Sequence, residues 1–374
     1  MAAGRRIAAL RELLIEKDVD FWLCTHTSDI RWLTGFERVF DSEQAHVVLV
    51  SEDIAFLHSD TRYGQSLRER DTAGLWEISD EAARHPECIA QRLVDNASTA
   101  QRVIRIGLET DVRLDHFRAL RKALDERLGQ DGYELVELSD VVANLRAVKD
   151  DDEIAAIRKA QEFTDAAYTY MLEWLQVGRS EREAALELEY TLRSLGADGV
   201  AFPSIVASGP NSAVPHAVPT DRRFEQGDFV LMDFGARYLD YCADMTRTVV
   251  IGSASEQQRQ IHAAVLEAQK VVKVQLRAGK TGEELHRLAA DVIAAAGFPK
   301  AFIHSLGHGV GIDIHELPAL APRVTQTLVS GNVVTIEPGV YLPGIGGVRI
   351  EDFGLVTNEG FVDFTKSSHE LLEL

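Results

Sequence analysis

Two nine-residue stretches repeat one design: Gly-Asp-Phe-Val-Leu-Met-Asp-Phe-Gly from Gly227 to Gly235, and Gly-Asn-Val-Val-Thr-Ile-Glu-Pro-Gly from Gly331 to Gly339. Each sets an acid, Asp233 or Glu337, after an apolar strand-like run. A second acid follows each: Asp244 lies eleven residues after Asp233, and Glu351 comes after the glycine-rich turn Gly344 to Gly347. Side chains alternate faces along a strand, so an acid closing such a run can point into a cleft while its neighbours pack the core. His308, within His304-Ser305-Leu306-Gly307-His308-Gly309-Val310-Gly311, is a fifth candidate donor whose small neighbours let the backbone approach closely. Four carboxylates and an imidazole are hard to intermediate ligands, and their four negative charges balance two divalent cations sharing a water or hydroxide nucleophile. Mn²⁺, Co²⁺, Fe²⁺ and Zn²⁺ all suit such a set. Singly, each acid reads as a turn cap or a surface ion pair; their matched placement is what argues for a metal cage.

The elements that must position these residues repeat as well. Gly178-Arg179-Ser180-Glu181-Arg182-Glu183 resembles Gly279-Lys280-Thr281-Gly282-Glu283-Glu284, and in both a hydroxyl residue precedes a Glu by three, as a capping box requires. Each copy reads as helix, turn, helix, strands. Two such α+β halves closing around a pseudo-two-fold axis would aim matching acids at a common centre. Ahead of them, residues 5 to about 138 alternate helical spacing (Ile7, Leu10, Leu14) with short strand-like runs at Phe21–Cys24, Val47–Val50, Ile54–Leu57 and Val103–Ile106. That pattern predicts a small α/β domain over 1–145 and a catalytic domain over 146–374, the boundary falling where Asp150-Asp151-Asp152-Glu153 opens a long helix to about Gln176.

Composition narrows the partners. A chain of 374 residues leaves room for about two domains. The formal charge of -20 repels nucleic acid and anionic lipid, and no run of about 18 uncharged apolar residues predicts a membrane span. Three scattered cysteines, Cys24, Cys88 and Cys242, and the absence of an apolar leader after Met1 point to a reducing, cytoplasmic setting.

The blocks around the candidate ligands carry a resemblance: Asp-Phe-Gly-Ala-Arg-Tyr-Leu-Asp-Tyr-Cys-Ala-Asp-Met-Thr-Arg-Thr from Asp233, His-Ser-Leu-Gly-His-Gly-Val-Gly-Ile-Asp-Ile-His-Glu from His304, and Thr-Ile-Glu-Pro-Gly-Val-Tyr-Leu-Pro-Gly-Ile-Gly-Gly-Val-Arg-Ile-Glu-Asp from Thr335. The chain resembles Xaa-Pro peptidases of the pita-bread metallopeptidase family, which includes aminopeptidase P and prolidase. It matches that family over about 150–374, with a creatinase-like N-terminal domain before it. The resemblance implies an α+β pita-bread domain of two pseudo-symmetric halves, two divalent ions (Mn²⁺ first), a homodimer, and hydrolysis of the bond before a second-position proline by a metal-bridging hydroxide. It implies that Asp244 and Glu351 bridge both metals, that Asp233 completes one site and that His308 with Glu337 completes the other. Glu337 would also take the proton from the attacking water. His216 and His315 are assigned to the oxyanion and the leaving nitrogen, and His304 to the pocket wall. Arg349, two residues before Glu351 and so on the same strand face, is read as orienting a ligand carboxylate; Tyr241 is read the same way.

Rival readings are weaker. Gly279-Lys280-Thr281 mimics the end of a phosphate-binding loop, but Val274 stands where that motif needs Gly, so it reads as a helix cap. His315-Glu316 starts a zincin-like motif, yet Pro318 and Ala319 break it. Methionine aminopeptidase lacks the extra N-terminal domain and the His216 context, creatinase does not use the cage, and a non-catalytic peptide-binding relative would have lost ligands. A bimetal phosphoesterase would use similar acids and is distinguished by its substrates. The choice between dipeptidase and aminopeptidase stays open.

Overall fold

The computed structural model describes residues 2–41, 43–96 and 102–374; Met1, Ser42 and residues 97–101 lie outside the described residues. The chain divides into two compact units, residues 1–146 and 147–374.

The first unit is a mixed six-stranded sheet with helices between its strands. In chain order it runs α1 (Ala2–Glu16), β1 (Phe21–Cys24), α2 (Thr27–Thr34), β2 (His46–Ser51), β3 (Ala55–Ser59), α3 (Gly64–Arg70), β4 (Glu77–Ser79), α4 (His85–Asn96), β5 (Ile104–Glu109), α5 (Leu114–Leu128), β6 (Tyr133–Leu138) and α6 (Val141–Arg146). The sheet order is β4-β3-β2-β1-β5-β6. Strands β1 and β2 are buried at every position, because helices cover both faces of the sheet centre and continuous apolar runs are stable only there. Leu23, Leu49, Leu93, Ile106 and Leu124 form its core.

In the second unit the repeat seen in the sequence becomes two layers of matching topology. The first half comprises α7 (Asp151–Trp174), α8 (Glu181–Leu195), β7 (Gly199–Val200), β8 (Ile205–Ser208), β9 (Phe229–Phe234), β10 (Ala236–Tyr238), β11 (Tyr241–Cys242) and β12 (Met245–Val250). The second comprises α9 (Glu256–Gln275), α10 (Gly282–Ala295), β13 (Gly307–Gly309), β14 (Glu316–Leu320), β15 (Val333–Ile336), β16 (Gly339–Leu342), β17 (Gly346–Arg349), β18 (Asp352–Val356) and β19 (Phe361–Asp363). The sheet orders correspond, β8-β9-β12 in one half and β13-β15-β18 in the other. Each half therefore presents a central strand ending near an acid, a two-stranded excursion, and a return strand beside it. This is the two-halved α+β fold expected for the pita-bread class.

The four helices of this second unit, α7 to α10, each open on a capping box: Asp150/Glu153, Ser180/Glu183, Ser255/Gln258 and Thr281/Glu284. Each such cap contributes about 1 kcal/mol. Thr281 thus serves as the helix cap expected of it, and Glu316 opens a strand, not a helix. The core holds fully buried Phe229, Phe234 and Phe353; burying each such ring contributes roughly 1.5–3 kcal/mol. No helix among the described residues is long and apolar enough to cross a membrane.

Candidate metal centre

Strand pairing explains how distant acids meet. β9 and β12 run antiparallel with Asp233 opposite Thr246, so Asp244 lies just before the strand that returns beside Asp233. In the other half Ile336 pairs with Asp352, which sets Glu337 and Glu351 just beyond that pair. The two registers differ, because the β10–β11 and β16–β17 excursions differ in length. The halves join at the acids themselves: Glu351 N–H donates to Thr246 O at 3.1 Å, and Thr246 Oγ1 donates to Glu351 Oε2 at 2.6 Å.

A cleft of about 600 Å³ is lined by Asp233, Asp244, His308, Glu337 and Glu351 together with His216, His304, His315 and Arg349. Asp244 and Glu351 form its buried floor, 4% and 2% exposed, while His216 and His315 stand exposed at the mouth. His308 enters from β13, where the backbone packs as tightly as its glycines allow. A Cβ at Gly307 would lie 2.2 Å from Thr335 O, and one at Gly309 2.2 Å from Leu317 O.

Tyr241 is placed elsewhere. Its hydroxyl donates to Glu153 Oε1 at 2.9 Å, and it packs against the first-half core beside α7. It is not among the cleft-lining residues. The short strand β11 turns this side chain toward α7, whereas the expectation had it orienting a ligand carboxylate. A residue the sequence reading passed over stands in that position. Tyr341, buried in β16, accepts a hydrogen bond from Arg349 Nη1 at 2.8 Å and meets His304 Nε2 at 2.9 Å. Arg349 also reaches Asp233 Oδ2 through Nη2 at 2.5 Å and Thr246 Oγ1 through Nε at 2.9 Å. The signal for Tyr341 was present in the hairpin register, which sets Gly339 opposite Arg349 and Tyr341 opposite Gly347. Tyr341 and Arg349 then share a face, and glycine stands where any Cβ would strike the tyrosine, 2.6 Å from its hydroxyl at Gly339 and 2.7 Å from its ring at Gly347. Thr246 and Thr335 were missed too. Thr335 Oγ1 donates to Glu337 Oε1 at 3.2 Å and accepts from His308 N–H at 3.0 Å.

The electrostatics of these groups test whether a cation fits. Burial first, then Glu351 and Asp233, push the Asp244 carboxyl well above the usual range. Burial first, then Glu337 and Asp233, do the same to Glu351. Glu337 is pushed up to about 8, by burial foremost and then by Asp233. Burial works against the Arg349 charge, yet Tyr341, Asp233 and Glu337 hold it well above its ordinary value. His308 Nδ1 lies 3.0 Å from Gly309 O, which can only accept, so Nδ1 carries the proton and Nε2 offers a lone pair. That Nε2 faces Asp244 Oδ2 at 3.5 Å and Glu337 Oε1 at 3.4 Å. Burial and His315 pull the His308 pKa down to about 3, so neutral imidazole is the state that faces two carboxylates. Asp233 Oδ1 is buried without a hydrogen-bond partner. Donor atoms of Asp244, His308 and Glu351 lie within 4.8 Å of one another. Crowded anions, an aimed lone pair and an unpaired buried oxygen all call for positive charge, and the oxygen-and-imidazole donor set fits divalent first-row ions.

Fold and site together define a metallohydrolase of the pita-bread class, with a cage built from both halves of one α+β domain. The protein-family comparison agrees on both units: metallopeptidase family M24 matches residues 155–358, and the creatinase/prolidase N-terminal domain matches residues 6–148. The chain belongs to metallopeptidase family M24 and is a metallopeptidase. Among its relatives is the Xaa-Pro dipeptidase of Pyrococcus furiosus, 46% identical over 64% of this chain and 69% of that protein. Among solved structures, the Xaa-Pro dipeptidase from Bacillus anthracis superposes with a TM-score of 0.91 at 37% identity over all of both chains. The X-Pro aminopeptidase from Thermotoga maritima superposes at 0.87 with 33% identity, over 98% of this chain and 99% of that one.

Proposed function

We propose that this metallopeptidase releases the N-terminal residue from peptides with proline in the second position, using two divalent ions held by Asp233, Asp244, His308, Glu337 and Glu351, with Mn²⁺ as the preferred metal. The observation that carries this reading is the convergence of those five side chains with three further histidines in one cleft. When bound, the metals supply Lewis acidity to the scissile carbonyl and lower the pKa of water.

The remaining work falls to the chain. Glu337 takes the proton of the attacking water, its carboxylate steadied by the Thr335 hydroxyl at 3.2 Å. His216 and His315, exposed at the cleft mouth, serve the oxyanion and protonate the departing prolyl nitrogen. His315 is held below its ordinary pKa, foremost by the partial burial of its ring and then by nearby His216. Arg349 and Tyr341 hold Asp233 and His304 in place.

The bond itself favours this design. A peptide bond before proline has no N–H, so a site that recognises the scissile N–H binds it poorly, whereas polarising the carbonyl makes no such demand. The acidic, cysteine-poor composition suits a cytoplasmic setting, and the resemblance suits a homodimer.

The deciding experiment compares release of alanine from Ala-Pro and Ala-Pro-Ala by metal-stripped chain reloaded with Mn²⁺. Cleavage of the dipeptide alone means a pocket closed beyond proline, and preference for the tripeptide means an open one. Inertness toward both would reject the prolyl reading.

A further inference from the structure

Lys149 and Glu316 form a buried ion pair that the chemistry above does not use. Lys149 Nζ lies 2.6 Å from Glu316 Oε1, with the side chains 1% and 8% exposed. Desolvating two charges is expensive, and apolar replacements of similar volume are often neutral or stabilising. Stability alone therefore does not account for the pair; its position does.

Each partner is tied to a different wall of the cleft. Lys149 N–H donates to Gly331 O at 2.9 Å, and Asn332 Nδ2 donates to Ala147 O at 2.8 Å. These bonds fix the lysine at the entry to β15, the strand that leads to Glu337. Glu316 opens β14 directly after His315 and pairs with Gly309, the neighbour of His308. Its carboxylate also lies on the backbone of Gly311, where a Cβ would come within 2.4 Å of Oε1, and accepts Asp313 N–H at 3.4 Å. The loop from His308 to His315 thus folds around one carboxylate. At its ends the two imidazoles meet edge to face, with centroids 4.3 Å apart.

We propose that Lys149 and Glu316 are positioning residues: their ion pair ties the loop 310–315 to the start of β15 and so sets His315 against His308 and the reacting carbonyl. This rests on the role given to His315 above. Displacing a catalytic group by about 1 Å can cost on the order of 100-fold in rate.

The test is the double variant Lys149→Met with Glu316→Gln, which leaves no unpaired charge, made in the full Mn²⁺-loaded chain with and without His315→Asn. Expected in the wild-type background are an unchanged melting temperature and metal content, and a fall in kcat for Ala-Pro-Ala of roughly 10- to 100-fold with little change in KM. In the His315→Asn background the same pair of changes should lower kcat less than about twofold, because the group it positions is already gone. Equal losses in both backgrounds, or no loss in either, would overturn the proposal. Nitrogen-15 spectra of the histidine rings, recorded on the metal-stripped chain because Mn²⁺ would broaden the signals away, give a second readout that does not depend on activity. The His315 signals should move in the double variant, and unmoved signals overturn the proposal whatever the rates do. Should the double variant not fold, the isosteric Glu316→Gln change alone carries both measurements. A wild-type chain inert toward prolyl peptides would count against the proposed substrate, while the ring signals would still decide the role of the pair.

Discussion

Arg349 and Asp233 are joined by a 2.5 Å ion pair that crosses from the second half of the catalytic unit to the first. The arginine is 3% exposed and the aspartate 14%, and the opposite edge of the guanidinium is engaged by Tyr341 and Thr246. An acid of one half is thereby oriented by a strand of the other. Lysine cannot reproduce such a three-way fork. Arg349→Lys should therefore weaken Mn²⁺ binding about 10- to 100-fold, with activity partly restored by excess metal. Titration of the stripped variant with Mn²⁺, followed by calorimetry, checks this; an unchanged affinity would show that Asp233 needs no such support.

Tyr341→Phe removes the hydroxyl shared by Arg349 and His304. Leaving buried donors unsatisfied costs about 1–3 kcal/mol, and in a unit of this size each 1 kcal/mol lowers the melting temperature by roughly 2–4 °C. Scanning calorimetry of the variant should show a drop in that range together with a lower kcat. A variant that melts with the wild type would mean that water replaces the hydroxyl at no cost.

His308→Ala and Glu337→Ala should each abolish Mn²⁺-dependent cleavage of Xaa-Pro peptides while leaving the far-ultraviolet circular dichroism unchanged. Neither side chain belongs to the apolar core. Full activity in either variant would refute the cage.

Removing metal should make stability fall as the pH rises. Glu337, at about 8 in the folded chain, and Asp244 and Glu351, both well raised, have folded pKa values above those of an unfolded carboxyl near ~4.3. Their favourable contribution is complete below the ordinary carboxylate range and is lost as the pH rises through about 8. The stripped chain should therefore melt at progressively lower temperature between about pH 5 and pH 8. Loading Mn²⁺ should flatten that slope and release protons, which titration calorimetry in buffers of different ionisation enthalpy would detect. A stripped chain that gains stability across the same interval would contradict the crowding.

Short-range chemistry was legible along the chain because its causes are local. Ser180 with Glu183 and Thr281 with Glu284 marked two helix starts by a rule that spans one turn. The apolar runs at Phe21 and Ile104 became strands because their composition suits a sheet buried on both faces. The matched acids Asp233 and Glu337 implied duplication, and duplication implied a shared centre. The partnerships of the polar side chains were decided only in three dimensions. Tyr241 and Tyr341 look alike as aromatics near a ligand, yet one bonds Glu153 and the other Arg349. The difference arises from the direction in which two short excursions leave their sheets. Lys149 and Glu316 are far apart in the sequence and meet only once β14 and β15 pack on either side of β13. Periodicity and capping act over a few residues and can be read from them, whereas a buried ion pair or a shared hydroxyl is fixed by the packing of whole strands.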